Sequence, residues 1–308
     1  MPKVYRCHSG HTGKLHLMPI DTRLRAYRTA CEARLESLLP PSSQRPQELH
    51  EAMKYSALAP GKRIRPTLCM AACEVLSGSF ESALDVACSL ELVHCFSLIH
   101  DDLPAIDNDA LRRGLPTCHV KFGEAIAILA GDALFALAFD AIANSDISDI
   151  QKARCVALLA RASGSCGLVG GEVVDVLTEG KTFDLEDLEF IHSKKTGALI
   201  AASCEMGAIC AGADAVIAHQ LAQYGELMGL AFQVADDLLN ETSTEEQLGK
   251  AAGSDRERRK ATYPALFGLE ESQRKADELT RVAIAALPDN LKDGILGDIA
   301  RYAVARRN

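Results

Sequence analysis

The sequence predicts an all-α protein, a single bundle of about ten helices around a central cavity. Helical periodicity runs through the chain, and no segment alternates apolar and polar residues as a half-buried strand does. Helix breakers recur at short intervals, so the helices are expected to be joined by short loops. These breakers are Pro40-Pro41, Pro60-Gly61, Ser77–Ser79, Gly114, Gly164, Gly180, Gly212, Gly249, Gly253 and Pro288.

One domain is predicted for residues 18–308, because no Ser/Gly/Pro-rich linker and no block of charge divides the chain. Residues 1–17 show no periodicity and are expected to form a disordered tail. Asp21 and Asp184 are predicted to cap the N-termini of two helices.

Charge and cysteine content limit the partners and the compartment. The net charge of −9 argues against nucleic acid as the main partner, so an anionic substrate must be attracted locally by metal ions and placed cations. The 11 cysteines are scattered along apolar faces, as at Cys88 and Cys204. Reduced thiols in a cytosolic or stromal compartment fit this pattern, and we expect a cytoplasmic protein.

The longest apolar run covers residues 125–143 and is nearly long enough to span a membrane. Gly131, Asp132 and Asp140 interrupt it, and its flanks lack Trp or Tyr anchors. A helix that is apolar all round is typical of the centre of a large soluble bundle. We therefore predict a central helix here and no membrane span.

Two acid clusters follow strongly apolar helical segments and point to the chemistry. The first contains Asp101, Asp102 and Asp107, where Pro104 interrupts the helix and a bulge can return the third acid to the first. The second contains the adjacent carboxylates of residues 236 and 237. Buried like charges repel each other unless a cation neutralises them, and Mg²⁺ prefers carboxylates together with phosphate oxygens and water. The two clusters therefore predict a diphosphate held by Mg²⁺ between two carboxylate walls.

Cations accompany both clusters. The segment Gly61-Lys-Arg-Ile-Arg-Pro66 opens an apolar helix and predicts an anion pocket. Arg112 and Arg113 follow the first cluster, and arginine binds phosphate oxygens in a bidentate manner. His94 lies two turns before the first cluster, on nearly the same face. Further candidates to neutralise a diphosphate from the opposite side are Lys195, Thr196, Gln233, Lys250 and Lys260.

Taken together and in this order, these segments resemble the trans-isoprenyl diphosphate synthase (polyprenyl synthetase) family. The sequence is most similar to the bacterial farnesyl diphosphate synthases, with the plastid and cyanobacterial geranylgeranyl diphosphate synthases as near relatives. The resemblance implies the isoprenoid synthase fold, a homodimer and Mg²⁺-dependent head-to-tail condensation of isopentenyl diphosphate with an allylic diphosphate, dimethylallyl or geranyl. The matching segments are Gly61–Pro66, His94–Gly114, Lys195–Leu199, Phe232–Leu239 and Gly249–Pro264.

The resemblance also implies residue roles. Three Mg²⁺ ions would be bound by Asp101, Asp107 and Asp236, with Asp102 and Asp237 in support. The catalytic set adds Lys195 to these five acids. The allylic diphosphate would be held by Arg112, Lys195, Thr196, Gln233, Lys250 and Lys260. Isopentenyl diphosphate would be held by Lys62, Arg65, His94 and Arg113.

Two departures from the family pattern leave alternatives open. Asn240 stands where the family usually has Asp, and Glu172 where it usually has Gln after the paired glycines. The alternatives are a non-catalytic regulatory subunit of the same fold and a class I terpene cyclase. The retained basic residues argue against the first, and Asp236-Asp237 argues against the second.

Product length is predicted from the helix before the first cluster, because residues four or five positions before Asp101 share its face. Phe96 lies five residues upstream, and its ring would close a tunnel at the depth of three isoprene units. We therefore expect a C15 product, farnesyl diphosphate. The small neighbour Ser97 keeps a C20 product, geranylgeranyl diphosphate, as the main alternative.

Overall fold

The computed structural model describes residues 19–242 and 260–304. Within them the fold is all-α, as predicted, with fourteen α-helices, three of them of seven residues or fewer. In chain order they are α1 (Ile20–Leu38), α2 (Gln47–Ala57), α3 (Ile64–Ser77), α4 (Leu84–Asp101), α5 (Cys118–Phe122), α6 (Glu124–Ala143), α7 (Asp149–Ser163), α8 (Leu168–Thr178), α9 (Leu185–Ile191), α10 (Ala198–Cys210), α11 (Ala215–Thr242), α12 (Tyr263–Phe267), α13 (Leu269–Ala286) and α14 (Ile295–Val304). The predicted tail and Lys250 lie outside the described residues.

Short segments of other types complete these residues. A π-helix, His192–Gly197, joins α9 to α10, and 3₁₀ turns occupy Glu81–Ala83 and Asp289–Leu291. The strands β1 (Leu111–Arg112) and β2 (Leu115–Pro116) pair as a tight antiparallel hairpin.

The core forms where α3, α4, α10 and α11 pack together. α10 is buried along almost its whole length because, apart from Glu205, its residues are apolar or small. A Cβ added at Gly207 would lie 2.2 Å from the carbonyl oxygen of Cys69, so glycine is what allows α10 to pack directly on α3. The ten cysteines of the described residues are free thiols, and nine of them are buried.

One of the two predicted N-caps is confirmed. The Asp184 side chain accepts a hydrogen bond from the Asp187 backbone N–H at 3.0 Å, as a capping box requires. The prediction for Asp21 is wrong, because α1 begins at Ile20 after Pro19 and Asp21 lies in its first turn. A carboxylate there still interacts favourably with the helix dipole.

The prediction that the apolar run forms the central helix is also wrong. α6 packs against α4 with one face, while its other face is exposed, with Leu129 53% and Ile128 43% accessible. A helix with apolar residues on every face gives no indication from sequence of which face will be exposed to solvent. By length and composition, two helical stretches of the described residues could cross a membrane, Glu81–Asp101, which is 67% buried, and Glu124–Ala143, which is 39% buried.

Candidate active site

A cavity of about 630 Å³ lies between the C-terminal ends of α4 and α11, and the start of α3, the β-hairpin, α8 and the π-helix complete its wall. Phe96 and Asp102 do not border it. The predicted residues that do border it are Lys62, Arg65, His94, Ser97, Asp101, Asp107, Arg112, Arg113, Lys195, Thr196, Gln233, Asp236, Asp237 and Lys260.

The first acid wall forms at the end of α4. Asp101 is the last residue of this helix, and the chain then turns so that the Asp107 backbone N–H donates to the Asp101 carbonyl at 2.8 Å. The inserted residues therefore return the third acid to the first, as the spacing predicted. Burial, reinforced by the negative charge of Glu172, raises the pKa of Asp101 to about 7. Its carboxylate form is disfavoured unless a cation joins it.

In each pair of adjacent acids, the second carboxylate is engaged by neighbouring protein groups. Asp102 accepts from Arg112 Nε at 2.7 Å and pairs with its Nη2 at 2.6 Å, outside the main cavity. Asp237 accepts from Gln233 Nε2 at 3.0 Å and from the Tyr263 backbone N–H at 3.1 Å. These contacts fix an arginine and a glutamine that border the cavity, which is a supporting role for both acids.

The donor set suits a hard divalent cation that shares its coordination with a ligand. Asp101 and Asp107 border the cavity from one side, and Asp236 borders it from α11. Among the described residues, no three His, Cys, Asp or Glu side chains lie close enough together to hold a metal ion by themselves. Mg²⁺ commonly takes one or two carboxylates and completes its shell with substrate phosphate and water, so the facing carboxylates fit Mg²⁺ bound together with a diphosphate.

Two lysines enter the cavity between these walls, and both contact Asp175. Lys195 Nζ lies 2.6 Å from Asp175 Oδ2 and 2.7 Å from Glu172 Oε2. Lys260 Nζ lies 2.8 Å from Asp107 Oδ1 and 3.7 Å from Asp175 Oδ2. Although burial alone would lower it, the charges of Asp175 and Glu172 raise the pKa of Lys195, which stays protonated.

Sequence reasoning missed Asp175. The available signal was its position three residues after Glu172, which places both carboxylates on one face of α8. Lys195 also contacts Glu172, the residue that stands where the family usually has Gln, and a negative charge there would repel a diphosphate if it were unpaired. Glu172 points inward, but its charge is paired with Lys195.

The position of Lys195 depends on a glycine in α8. A Cβ at Gly171 would lie 2.2 Å from the Lys195 backbone nitrogen. α8 therefore packs backbone to backbone on the π-helix that carries Lys195 and Thr196. Thr196 Oγ1 donates to Gln233 Oε1 at 2.8 Å, which ties the π-helix to α11. Short π-helical segments are frequent at functional sites.

The other end of the cavity is basic. The Arg65 Nε atom is buried without a hydrogen-bond partner in the described residues, and burial together with the charge of Arg113 lowers the pKa of Arg65. Burial and the neighbouring charges of Arg65 and Arg113 hold the pKa of His94 well below its ordinary value, so this imidazole is neutral. Gly61 makes room for Arg113, since a Cβ there would lie 2.5 Å from its Nη1. These groups form a receptor for an anion.

Arg63, the middle cation of the Gly61–Pro66 segment, has a different role. Arg63 lies in the left-handed region at φ 51° and pairs with Glu91 at 2.6 Å. It also donates to the carbonyl oxygens of Ala57 and Ala59, so it fixes the connection between α2 and α3.

Two neighbouring residues of α4 point in different directions. The Phe96 ring packs on Phe135 of α6, with 4.9 Å between centroids, and on His100 at 4.8 Å. Ser97 borders the cavity and donates to the His94 carbonyl at 3.0 Å. One helical turn before Asp101, the small side chain of Ser97 therefore faces the cavity and the ring of Phe96 faces α6.

Comparison with known proteins gives the same family as the site. Residues 46–292 match the Polyprenyl synthetase family. The chain is similar to a chloroplastic geranylgeranyl pyrophosphate synthase of Capsicum annuum, with 47% identity over 268 residues that cover 85% of this chain and 73% of the relative.

Solved structures share the fold. An FPP/GFPP synthase from Zymomonas mobilis superimposes with a TM-score of 0.80 at 37% identity, covering 92% of this chain and 98% of that one. A geranyltransferase from Helicobacter pylori, solved with magnesium and isoprenyl diphosphate, gives a TM-score of 0.79 at 33% identity over 92% and 96% of the two chains. With its two acid walls and matched cations, this chain therefore belongs to the polyprenyl synthetase family and is a prenyltransferase of the prenyl diphosphate synthase type.

Proposed function

We propose that the protein is a geranylgeranyl diphosphate synthase, which extends allylic diphosphates with isopentenyl diphosphate to a C20 product. The observation that carries the product length is that Ser97, and not Phe96, borders the cavity. The names of similar proteins support it, since relatives from plants and from Cyanophora paradoxa at 46–48% identity are geranylgeranyl diphosphate synthases. The C15 product expected from Phe96 has less support, although FPP is one of the two products named for the Zymomonas mobilis structure, an FPP/GFPP synthase.

The acid end would receive the allylic diphosphate. Asp101, Asp107 and Asp236 would hold Mg²⁺, with three ions per site as the family resemblance implies. Bound Mg²⁺ neutralises the charge that develops on a departing diphosphate. Lys195 and Lys260, which Asp175 and Asp107 hold at the cavity wall, would add two ammonium groups to the same diphosphate. Fixed positive charge there would favour cleavage of the allylic C–O bond. Arg112, Thr196 and Gln233 would orient this diphosphate, and Lys250 is proposed to join them.

The basic end would hold isopentenyl diphosphate. Lys62, Arg65, Arg113 and the neutral His94 can all donate hydrogen bonds to its diphosphate. Anchoring both substrates in one cavity aligns the isopentenyl double bond with the allylic carbon. Apolar residues of the cavity wall, Leu98 of α4, Ile200 of α10 and Phe232 of α11, would help to exclude water, which would otherwise capture the allylic cation. The released diphosphate is placed to accept the proton that the product loses.

Assembly and location are part of the proposal. The exposed apolar face of α6 supports a homodimer, because a contiguous apolar surface of this kind usually meets a partner. The free buried thiols suit a compartment that keeps cysteine reduced, either cytosol or plastid stroma. Relatives named as chloroplastic favour the stroma.

Release of inorganic diphosphate tests the reaction class. The purified protein is given Mg²⁺ and geranyl diphosphate, with and without isopentenyl diphosphate, and a chelator serves as the control. The proposal expects release only when metal and both substrates are present. Release from the allylic substrate alone would identify a cyclase. No release under any condition would identify a non-catalytic subunit.

A further inference from the structure

We infer that Arg28 of α1 is a further binding residue for isopentenyl diphosphate, at the mouth of the basic end of the cavity. This inference rests on the proposed function, because it names an additional cation for one of the two proposed substrates. Arg28 borders the same cavity as Lys62, Arg65 and Arg113. It lies on a helix that none of the sequence motifs includes.

The orientation of α1 places Arg28 beside the anion pocket. Glu32, one helical turn after Arg28, lies 3.7 Å from Arg63 Nε, which shows that this side of α1 faces the Gly61–Arg65 segment. Residues four positions apart share a helix face, so Arg28 points toward the same segment. Arg28 is an exposed residue, and within the described residues no hydrogen bond or ion pair engages its side chain.

The charges at this end favour a bound anion. Glu91 is the acid that borders the cavity here, and Arg63 neutralises it at 2.6 Å. Arg65 itself borders the cavity, and its buried Nε has no hydrogen-bond partner among the described residues, so the protein leaves part of this guanidinium unsatisfied. A diphosphate bound to Arg65 and Arg113 would extend toward the mouth of the cavity. Because Arg28 borders the same cavity, it would contact the outer phosphate there through an arginine–phosphate hydrogen bond.

A matched pair of variants separates binding from general surface charge. Arg28→Ala removes the proposed contact, Arg28→Lys keeps the charge, and Arg25→Ala removes an exposed cation of the same helix that does not border the cavity. We expect Arg28→Ala to raise the KM for isopentenyl diphosphate about three- to tenfold, the range for one partly solvated phosphate contact. The KM for the allylic substrate and kcat should change less than twofold. Arg28→Lys should recover part of the loss, and Arg25→Ala should match the wild type.

Two further measurements exclude a merely structural effect. Calorimetric titration of isopentenyl diphosphate into the wild type and Arg28→Ala should show the same fold-change in Kd. The difference should shrink as salt is raised, because contacts of exposed charges are screened. Equal behaviour of Arg28→Ala and Arg25→Ala, or equal KM increases for both substrates, would overturn the inference alone. A wild type that binds no isopentenyl diphosphate would overturn the proposed function as well.

Discussion

At the scale of single residues, the role of each acid in the site follows from the atoms that it contacts. Asp101, Asp236 and Asp237 border the cavity, and Asp102 lies outside it. Asp102 holds Arg112 in place, and Asp237 holds Gln233. In each pair of adjacent acids, the first borders the cavity and the second positions a neighbouring side chain. The supporting carboxylate contributes by fixing a partner that would otherwise sample several rotamers.

The first prediction concerns the cavity-facing acids. Asp101→Ala and Asp236→Ala should each lower kcat by about 10²- to 10³-fold, because each loses a carboxylate that would hold metal against the departing diphosphate. Circular dichroism should show an intact helical fold. The control is Asp277→Ala, an exposed carboxylate of α13 outside the cavity. Near-normal turnover in either cavity variant would contradict the two-walled site.

The second prediction concerns product length. Ser97→Phe places a ring in the wall of the cavity and should shorten the main product to C15 or C10. Phe96→Ala is the matched variant on the next residue, and it should leave the main product at C20, because the Phe96 ring packs on α6. Mass spectrometry of the dephosphorylated products measures both. A shift to longer chains in Phe96→Ala would restore Phe96 as the floor of the tunnel.

At the scale of elements, the sequence predicts those features that depend on residues close together in the chain. The bulge after α4 follows from Pro104 and the spacing of the acids, and the structure confirms that Asp107 returns to Asp101. The roles of Asp175 and Arg28 could not be predicted in this way, although the spacing of Asp175 from Glu172 places both acids on one face of α8. Asp175 lies on α8 and reaches a lysine of the π-helix, so its role depends on how two helices pack and not on its neighbours in sequence. The residues of the π-helix, His192–Gly197, likewise do not differ in pattern from those of an α-helix start.

The third prediction tests the contact between α8 and the π-helix. Gly171→Ala would favour the helix by about 0.5–1 kcal/mol from backbone entropy alone. The added Cβ would meet the Lys195 backbone at 2.2 Å, and such overpacking costs about 1–3 kcal/mol, so the clash should dominate. We expect a lower Tm and a loss of activity as Lys195 moves. The control is Val173→Ala on the exposed face of α8, and a Gly171→Ala variant as stable and active as this control would argue against the close contact.

At the scale of the whole molecule, the packing of α6 explains why the prediction of a central helix for this segment is wrong. Hydrophobicity on all sides predicts a helix covered on all sides, but it does not say whether the cover comes from the same chain. In this chain α4 covers one face of α6 and the other face is exposed. A second copy of the chain is the cover that we propose.

The fourth prediction tests that assembly. Leu129→Glu places a charge in the centre of the exposed α6 face and should convert a dimer into a monomer, because burying an unpaired carboxylate is unfavourable. Ile150→Glu changes another exposed apolar residue, on α7, and should leave the dimer intact. Light scattering coupled to size-exclusion chromatography gives the mass of each. A monomeric wild type, or a Leu129→Glu variant that remains dimeric, would rule out this interface.

Elongation of farnesyl diphosphate tests the central claim most directly, because it asks whether the cavity accepts a C15 chain and extends it. The purified wild-type protein is incubated with Mg²⁺, isopentenyl diphosphate and farnesyl diphosphate, and the products are identified by mass spectrometry. We predict geranylgeranyl diphosphate as the main product, with none formed when the metal is chelated. Farnesyl diphosphate that is returned unchanged, while geranyl diphosphate is extended to C15 and no further, would contradict the proposal.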